Sequence, residues 1–181
     1  YEAAAHTMLG LHAMQHRGQE ATGIVSFDGE TFHAKRGRGE VGEILNDEIV
    51  LKSLAGNAAI GHNRYATTGE GTDQNIQPLF AEFSSGGFAI AHNGNLTNAS
   101  ALHNRLLASG SLFQSTTDTE VIIHLMARSM QANLVERLAD ALHQVEGAFS
   151  LVALSRKKLI GVRDPLGIRP LVLGRLGGAH I

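Results

Sequence analysis

Two short apolar segments of the sequence end in the same two polar residues, and this pattern limits the possible folds more than any other. Residues 59–63 have the sequence Ala-Ile-Gly-His-Asn, and residues 89–93 have the sequence Ala-Ile-Ala-His-Asn. The likeness does not continue on either side, so it does not indicate a repeat. Short apolar runs that are bounded by turn signals are typical of buried strands. The pattern therefore predicts two core strands, each of which runs out into a polar loop.

The order of the remaining predicted elements favours an α+β fold. Strands, then helices, then strands with hairpin signals indicate mainly antiparallel sheets that are covered by helices. The length of 181 residues suits a single domain. The predicted helices cover about the first fifteen residues, Val41–Leu54 with a break near Asn46-Asp47, Thr97–Leu107, and the segments around Val121–Met126 and Leu134–Val145. The other predicted strands are Gly23–Phe27, Thr31–Ala34, Phe149–Leu154, Leu159–Val162 and Pro170–Leu173, and Asp164–Pro170 is a predicted structural turn.

The composition excludes several classes of protein and site. The sequence contains no cysteine, which excludes disulfides, thiolate metal sites and a cysteine nucleophile within these residues. The formal net charge is −2, and the one basic cluster, Lys35–Arg38, is short and lacks interleaved aromatic residues. No apolar run has membrane-spanning length, and no signal-peptide pattern begins the chain. The sequence therefore predicts neither a nucleic-acid partner nor a membrane partner.

The polar residues His92–Asn95 follow the second apolar run and predict a sharp turn between a strand and the helix that begins near Thr97. A glycine in such a turn allows a positive φ or a close approach to a ligand. The side-chain amide of Asn93 and the N–H of Gly94 could together stabilise a developing oxyanion. Asn-Gly is equally typical of a turn with no chemical role, so both interpretations stay open at this point.

Two further polar segments contain candidate binding residues. Arg64 and Tyr65 lie in the long polar loop that follows the first core strand, and such loops are often functional. A guanidinium is the natural partner of a carboxylate, although a surface arginine without a role fits the pattern equally well. The spacing of Thr117 and Glu120 predicts a helix N-cap with a capping box. In the first turn of that helix, Asp118 is favoured by the helix dipole and could also hold an ammonium group.

The segment Gln15–Glu20 is unusually polar for a connection between two elements. Arg17 and Gly18 could support a functional loop or simply end the first helix. His12 and His16 have the spacing of a helical metal site. The glutamate that follows the first histidine in zinc proteases is absent, however, and this disfavours a metal site.

Five motifs occur in an order that is specific to one family. They are Gln15–Glu20, His62–Gly69, His92–Asn98, Thr117–Glu120 and Arg163–Pro170. Together they resemble the glutaminase domain of amidophosphoribosyltransferases, a class II glutamine amidotransferase, and the likeness covers nearly the whole chain. The related glucosamine-6-phosphate synthases fit less well, because they usually have tryptophan where this chain has Tyr65 and isoleucine where it has Asn95.

The resemblance implies an N-terminal-nucleophile hydrolase fold, an αββα sandwich of two mainly antiparallel sheets between helix layers. It also implies that residues 1–181 are an incomplete glutamine amidotransferase domain. The strand with the catalytic cysteine would precede this sequence, and a phosphoribosyltransferase domain would follow it. The chain is therefore expected to be truncated at both ends.

The same resemblance implies roles for the candidate residues. The side chain of Asn93 and the N–H of Gly94 would form the oxyanion hole. Arg64 would bind the α-carboxylate of glutamine, and Asp118 would bind its α-ammonium group. The remaining expected roles are coupling to the partner site by Tyr65, lining of the pocket by Thr67, and support of the loop near the nucleophile by Arg17 and Gly18.

The resemblance finally implies a reaction and its partners. A cysteine thiolate attacks glutamine, and the released ammonia passes to phosphoribosyl diphosphate, which gives 5-phosphoribosylamine for purine synthesis. Because the cysteine is missing, this chain is expected to be inactive. No cofactor or metal is expected within the segment, whereas Mg²⁺ and an iron–sulfur cluster would belong to the absent domain of a cytoplasmic, homo-oligomeric parent. The remaining alternative is a non-catalytic amino-acid-binding module.

Overall fold

Two antiparallel β-sheets form the centre of the structure, and helices cover their outer faces. The computed structural model describes residues 3–65 and 72–181. Among these residues, no helix combines the length and the hydropathy that crossing a bilayer requires. The elements in chain order are α1 (Ala3–Ala13), β1 (Ala21–Phe27), β2 (Phe32–Arg38), α2 (Val41–Ile44), α3 (Glu48–Ser53), β3 (Ala58–Arg64), β4 (Leu79–Phe83), β5 (Gly86–Leu96), α4 (Ala99–Ala108), α5 (Asp118–Arg128), α6 (Leu134–Leu142), β6 (Gly147–Ser155), β7 (Leu159–Arg163), β8 (Arg175–Leu176) and β9 (Ala179–His180).

The strands form two main sheets and one short hairpin. The first sheet has the order β2-β1-β3, the second has the order β4-β5-β6-β7, and β8 pairs with β9. Every strand pair in the described part of the chain is antiparallel. Two 3-10 turns, Gln15–Arg17 and Asp73–Asn75, lie in the connections that lead into and out of the first sheet.

Among the described residues, three apolar clusters fill the spaces between four layers of helices and sheets. Alternate residues of a strand face opposite sides of its sheet, so a strand between two apolar layers is buried on both faces. On β1, Ile24 packs against α1, α2 and α3, whereas Val25 packs between the sheets. On β5, Ala89 packs between the sheets, whereas Ile90 packs against α4, α5 and α6. The layer order is therefore αββα, as the resemblance implies.

Local sequence signals correctly predicted most of these elements. The predicted Asp28-Gly29 hairpin joins β1 to β2, and the Asp28 carboxylate accepts the N–H groups of Glu30 and Thr31, each at 2.8 Å. The predicted break in the helical segment 41–54 separates α2 from α3. There Asp47 caps α3 by accepting the N–H of Ile49 at 2.8 Å.

The predicted turn at His92–Asn95 is wrong, because these residues belong to β5. The long strand β6 offers a partner for the whole segment, and Asn93 pairs with Ser150 while Gly94 pairs with Phe149. Gly94 has a φ of +155°, and a Cβ there would lie on the carbonyl oxygen of Ala148. The close approach of β6, and not a turn, therefore requires glycine at this position.

One strand was missed, and one strand prediction and one capping prediction are wrong. Leu79–Phe83, which the sequence did not indicate as a strand, is the edge strand β4. Pro170–Leu173 forms no strand, since no ladder joins it to a neighbour among the described residues. Thr117 begins α5 without a side-chain cap. Glu120 instead accepts the backbone N–H groups of Gln114 at 2.9 Å and Ser115 at 2.7 Å, so its carboxylate holds the preceding loop.

Asp164 organises the turn that follows β7. Its carboxylate accepts the N–H groups of Leu166 (3.1 Å), Ile168 (3.0 Å) and Arg169 (3.0 Å), and its own N–H donates to the Phe149 carbonyl (2.8 Å). These bonds, that of Arg169 first, hold the pKa of Asp164 below its usual value. The geometry agrees with the structural turn that the sequence predicts for this segment.

We predict that Asp164→Asn lowers the melting temperature by several degrees at pH 7, because the ionised carboxylate accepts three backbone donors. A lowered pKa in the folded state adds stability above the unfolded-state value of about 3.9 and loses it as the pH falls through the folded-state value. The difference from the wild type should therefore shrink between pH 5 and pH 2. Thermal unfolding across this range, with Asp140→Asn on α6 as the control, checks the prediction. A difference that is independent of pH would contradict it.

Candidate functional site

A cavity of about 1040 Å³ lies where the polar ends of β3 and β5 face each other. The two predicted core strands thus run out into one common space, and β6, the start of α5 and the segment 169–172 complete its wall. The structure brings six of the predicted site residues to this cavity, whereas Thr67 lies outside the described residues. These six are Arg17, Arg64, Tyr65, Asn93, Gly94 and Asp118.

Arg64 ends β3 and is held by partners from two other segments. Its Nε lies 3.2 Å from Oε2 of Glu20, and its Nη1 donates to the carbonyl oxygen of Asn75 at 2.8 Å. The side chain is 15% exposed, so the guanidinium is partly shielded from water and fixed in direction. Tyr65, the next residue, is 69% exposed at the rim of the cavity.

Gly18 packs closely against the backbone of Arg64 and Tyr65. A Cβ on Gly18 would lie 2.6 Å from the carbonyl carbon of Arg64 and 2.9 Å from the nitrogen of Tyr65. The two backbone segments can therefore approach this closely only if residue 18 has no side chain. Gln15 fixes the same segment, because its Nε2 donates to the Gly18 carbonyl at 2.6 Å and its Oε1 accepts the N–H of Val41 at 2.8 Å. The polar segment Gln15–Glu20 is therefore packed directly against the arginine.

One edge of β5 is open at its polar end. The ladder between β5 and β4 ends at the pair of Ile90 with Leu79, whereas the ladder between β5 and β6 continues to Leu96. Backbone groups beyond Ile90 that point away from β6 consequently have no strand partner among the described residues. Such groups need side-chain or ligand partners, because an unpaired buried backbone donor is costly.

Side chains occupy this open edge on both sides of Gly94. The N–H of His92 donates to Oε1 of Gln77 at 2.7 Å, and the N–H of Leu96 donates to Oδ2 of Asp118 at 3.0 Å. Successive N–H groups of a strand point to opposite edges, so the N–H of Gly94 points to the same edge as these two. It is therefore directed outward from β5, between a neutral amide and a carboxylate.

Asn93 lies next to this donor, and its side chain leaves β5 roughly perpendicular to the plane of the sheet. Alternation along β5 directs its side chain to the same face as Ala89 and Ala91, toward the first sheet. Asn93 is exposed to the cavity, and its backbone pairs with Ser150. A side-chain amide and a backbone N–H are thus adjacent in the wall of one cavity.

Asp118 is a fixed, ionised carboxylate at the start of α5. Its Oδ1 lies 3.2 Å from Nδ1 of His92, and Nδ1 of His92 also lies 3.2 Å from Oγ1 of Thr119. Burial raises the pKa of Asp118, but the hydrogen bond and charge of His92, with the N–H groups of Leu96 and Thr119, outweigh burial and leave the pKa below its usual value. The group is therefore negative at neutral pH.

Two histidines at the cavity were not predicted as site residues. Burial lowers the pKa of His62 from 6.5 to about 4, so its ring is neutral at physiological pH. Nδ1 of His62 and Nε2 of His92 are buried without a hydrogen-bond partner among the described residues. The matching His-Asn ends of the two apolar runs were the sequence signal for this pair.

Asn75 and Gln77 were also missed, although Asn75 accepts a hydrogen bond from the predicted residue Arg64 and Gln77 accepts one from His92. Both are buried in the connection from β3 to β4, in which the sequence showed only a polar loop. Within residues 3–65 and 72–181, no group of three or more His, Cys, Asp or Glu side chains could hold a metal ion.

Comparisons with known proteins agree with the fold and the motifs. A family model described as the glutamine amidotransferase domain matches residues 62–181. The amidophosphoribosyltransferase of Rhizobium etli is 55% identical over 180 residues, which are 99% of this chain and 36% of that protein. The chain thus spans little more than a third of that relative. The amidophosphoribosyltransferase of Lacticaseibacillus casei is 45% identical over 95% of this chain and 89% of that sequence.

A solved structure shows the same architecture. The glutamine phosphoribosylpyrophosphate amidotransferase from B. subtilis, complexed with ADP and GMP, superposes with a TM-score of 0.92 at 41% identity. The superposition covers 98% of this chain and 38% of that one. The fold is accordingly the N-terminal-nucleophile hydrolase type that the sequence resemblance implied. The chain therefore belongs to the glutamine amidotransferase domain family, among the amidophosphoribosyltransferases.

Proposed function

We propose that this chain binds glutamine in the cavity between β3 and β5 and supplies the oxyanion hole for hydrolysis of the glutamine side-chain amide. The open edge of β5 carries this proposal. There the N–H of Gly94 points outward beside the bound carboxylate of Asp118, and the side chain of Asn93 is exposed in the same cavity. A side-chain amide and a backbone N–H that reach the same cavity can together stabilise the negative oxygen of a tetrahedral intermediate.

The charges at the cavity support recognition of an amino acid with both charged groups on its α-carbon. Asp118 is ionised at neutral pH and can pair with the α-ammonium group. A guanidinium has five N–H donors, so Arg64 can bind the α-carboxylate in addition to Glu20 and Asn75. Fixed charges of both signs disfavour ligands that lack either group.

The remaining predicted residues have supporting roles in this proposal. Tyr65 is exposed at the rim, where it can respond to a bound ligand and couple glutamine binding to a second site. Gly18 allows its segment to pass close beneath Arg64, and Arg17 lines the cavity next to it. Thr67 is proposed to line the pocket.

The nucleophile must come from outside these residues, because the sequence contains no cysteine. In the proposed reaction, the nucleophile is a cysteine at the mature N-terminus. Its free α-amino group, whose pKa is about 7.7–8.0, takes the thiol proton, and the resulting thiolate attacks the amide carbon. The protonated α-amino group then gives this proton to the amide nitrogen, which leaves as ammonia, and water hydrolyses the thioester to glutamate and the free thiol. By itself, this chain is proposed to bind glutamine without hydrolysing it.

For the whole protein, we propose that the ammonia reacts with phosphoribosyl diphosphate to give 5-phosphoribosylamine in purine synthesis. That step would take place in a second domain of a cytoplasmic homo-oligomer. Mg²⁺ and an iron–sulfur cluster are proposed for that domain.

A non-catalytic amino-acid-binding module is the second candidate, and the absence of cysteine from the sequence favours it. A glucosamine-6-phosphate synthase domain is less well supported, because the relatives above are amidophosphoribosyltransferases. The glutamine-hydrolysing enzyme and the non-catalytic binding module differ in one respect. Only the enzyme releases ammonia from glutamine once the cysteine-bearing segment is joined to this chain.

We predict that this chain binds L-glutamine and that Arg64→Ala and Asp118→Asn each weaken binding at least about tenfold, or about 1.4 kcal/mol, because each removes a charged partner. Isothermal titration calorimetry measures the dissociation constants. Arg105→Ala and Asp140→Asn, which alter helices α4 and α6, are the matched controls and should bind as the wild type does. Equal binding by all variants would refute the assignment of the two charged residues.

We predict that Asn93→Ala lowers kcat for glutamine hydrolysis by the full-length protein by about 10²–10³, as expected for loss of one oxyanion-hole donor. The Michaelis constant should change little, because the donor acts on charge that develops only in the transition state. Steady-state ammonia release measures both constants, and Asn104→Ala on α4 serves as the control. A rise in the Michaelis constant with unchanged kcat would assign Asn93 to substrate binding instead.

A further inference from the structure

The connection from β3 to β4 contains two amide side chains that are almost completely buried. Asn75 is 3% exposed and Gln77 is 8% exposed, and Ile76 between them is 4% exposed in the core. Buried amides are retained in proteins when their donors and acceptors are paired. The partners of these two amides lie on different elements of the candidate site.

Asn75 contacts Arg64 directly and reaches the Asp118 end of the site through Thr116. Its backbone carbonyl accepts from Nη1 of Arg64 at 2.8 Å. Its side chain forms a closed pair with Thr116, because Nδ2 donates to Oγ1 at 2.8 Å and Oδ1 accepts the N–H at 2.9 Å. Thr116 is two residues before Asp118. One residue therefore connects the arginine on β3 to the start of the helix that carries the aspartate.

Gln77 adds a third connection from the same segment. Its Oε1 accepts the N–H of His92 at 2.7 Å, and the ring of His92 contacts Asp118. The segment 75–77 is thus fixed against β3, β5 and the loop that leads into α5. Among these contacts, only those of Asn75 reach Arg64 and the Asp118 helix at once.

We propose that Asn75 is a positioning residue that sets the separation between the Arg64 guanidinium and the Asp118 carboxylate, and thereby the affinity for an L-α-amino acid. This inference rests on the proposed function, in which the two charges bind the α-carboxylate and the α-ammonium group. Asn75 acts through Arg64 and Thr116 and need not touch the substrate. Its carbonyl restrains the guanidinium directly, and its side chain restrains the loop that begins α5.

Loss of the amide would disturb one end of this arrangement more than the other. In Asn75→Ala the carbonyl that accepts from Arg64 remains, whereas both bonds to Thr116 are lost. The loop before α5 can then shift relative to β3. Such a shift changes the separation of the two charged groups, so they can no longer contact the α-carboxylate and the α-ammonium group of one ligand equally well. The expected effect therefore concerns binding of the two-ended ligand, not the chemical step.

The test uses the full-length protein and glutamine hydrolysis, with kcat and KM measured separately. We expect Asn75→Ala to raise KM for glutamine at least about tenfold and to change kcat less than about threefold. Thr116→Val, which removes Oγ1 but keeps the size of the side chain, should raise KM in the same direction, and Thr116→Ser should restore it. Asn104→Ala on α4 is the matched asparagine control.

A double-mutant comparison shows whether Asn75 acts through the charged pair. If it does, Asn75→Ala should add little to the loss already caused by Asp118→Asn, because the second end of the ligand is then unbound. A fall in kcat at unchanged KM, or a loss in the double variant equal to the product of the single losses, would overturn the proposal. If Asn75→Ala melts too low to assay, Thr116→Val and Thr116→Ser decide the same question.

The two proposals fail in different ways. If Arg64→Ala and Asp118→Asn weaken glutamine use while Asn75→Ala and Thr116→Val behave as the wild type does, only the positioning role is overturned. If the wild-type protein neither binds nor hydrolyses glutamine, the proposed function is overturned and the positioning role with it.

Discussion

The open edge of β5 is the constraint on which the candidate site depends. The ladder to β4 ends at Ile90, so the outward N–H groups of the polar end need other partners. An unpaired buried donor costs about 1–3 kcal/mol. Gln77 and Asp118 satisfy two of these groups, and both lie on segments that must therefore pack beside the strand. The N–H of Gly94 lies between them and points to the same edge of the strand, at the cavity.

The electrostatic character of the cavity follows from how each charge is held. Arg64 is restrained by Glu20 and by a carbonyl, and Asp118 is restrained by His92 and a backbone N–H. Charges that are fixed before a ligand arrives need little reorganisation when it binds. His62 stays neutral because it is buried, so it adds polarity to the space without adding a charge.

The sequence correctly predicted structures that depend on neighbouring residues. It failed where pairing with a strand far away in the sequence determines the structure. The Asp28-Gly29 hairpin follows from turn chemistry alone. His92–Asn95 has the same kind of local signal, yet β6 pairs with it and extends the strand, which no neighbouring residue indicates. The candidate residues Arg64 and Asp118 could be named from motifs. Their partners could not, because a buried polar contact depends on which elements pack together.

The contacts that hold the site join residues that are far apart in the chain. The Asn75–Thr116 pair spans 41 positions, and the bond from Leu96 to Asp118 spans 22. Closing such loops costs entropy before any contact is gained. The cavity exists only when both sheets and α5 have docked. A ligand that binds there consequently stabilises the whole tertiary arrangement against unfolding, and not merely the loops that it touches.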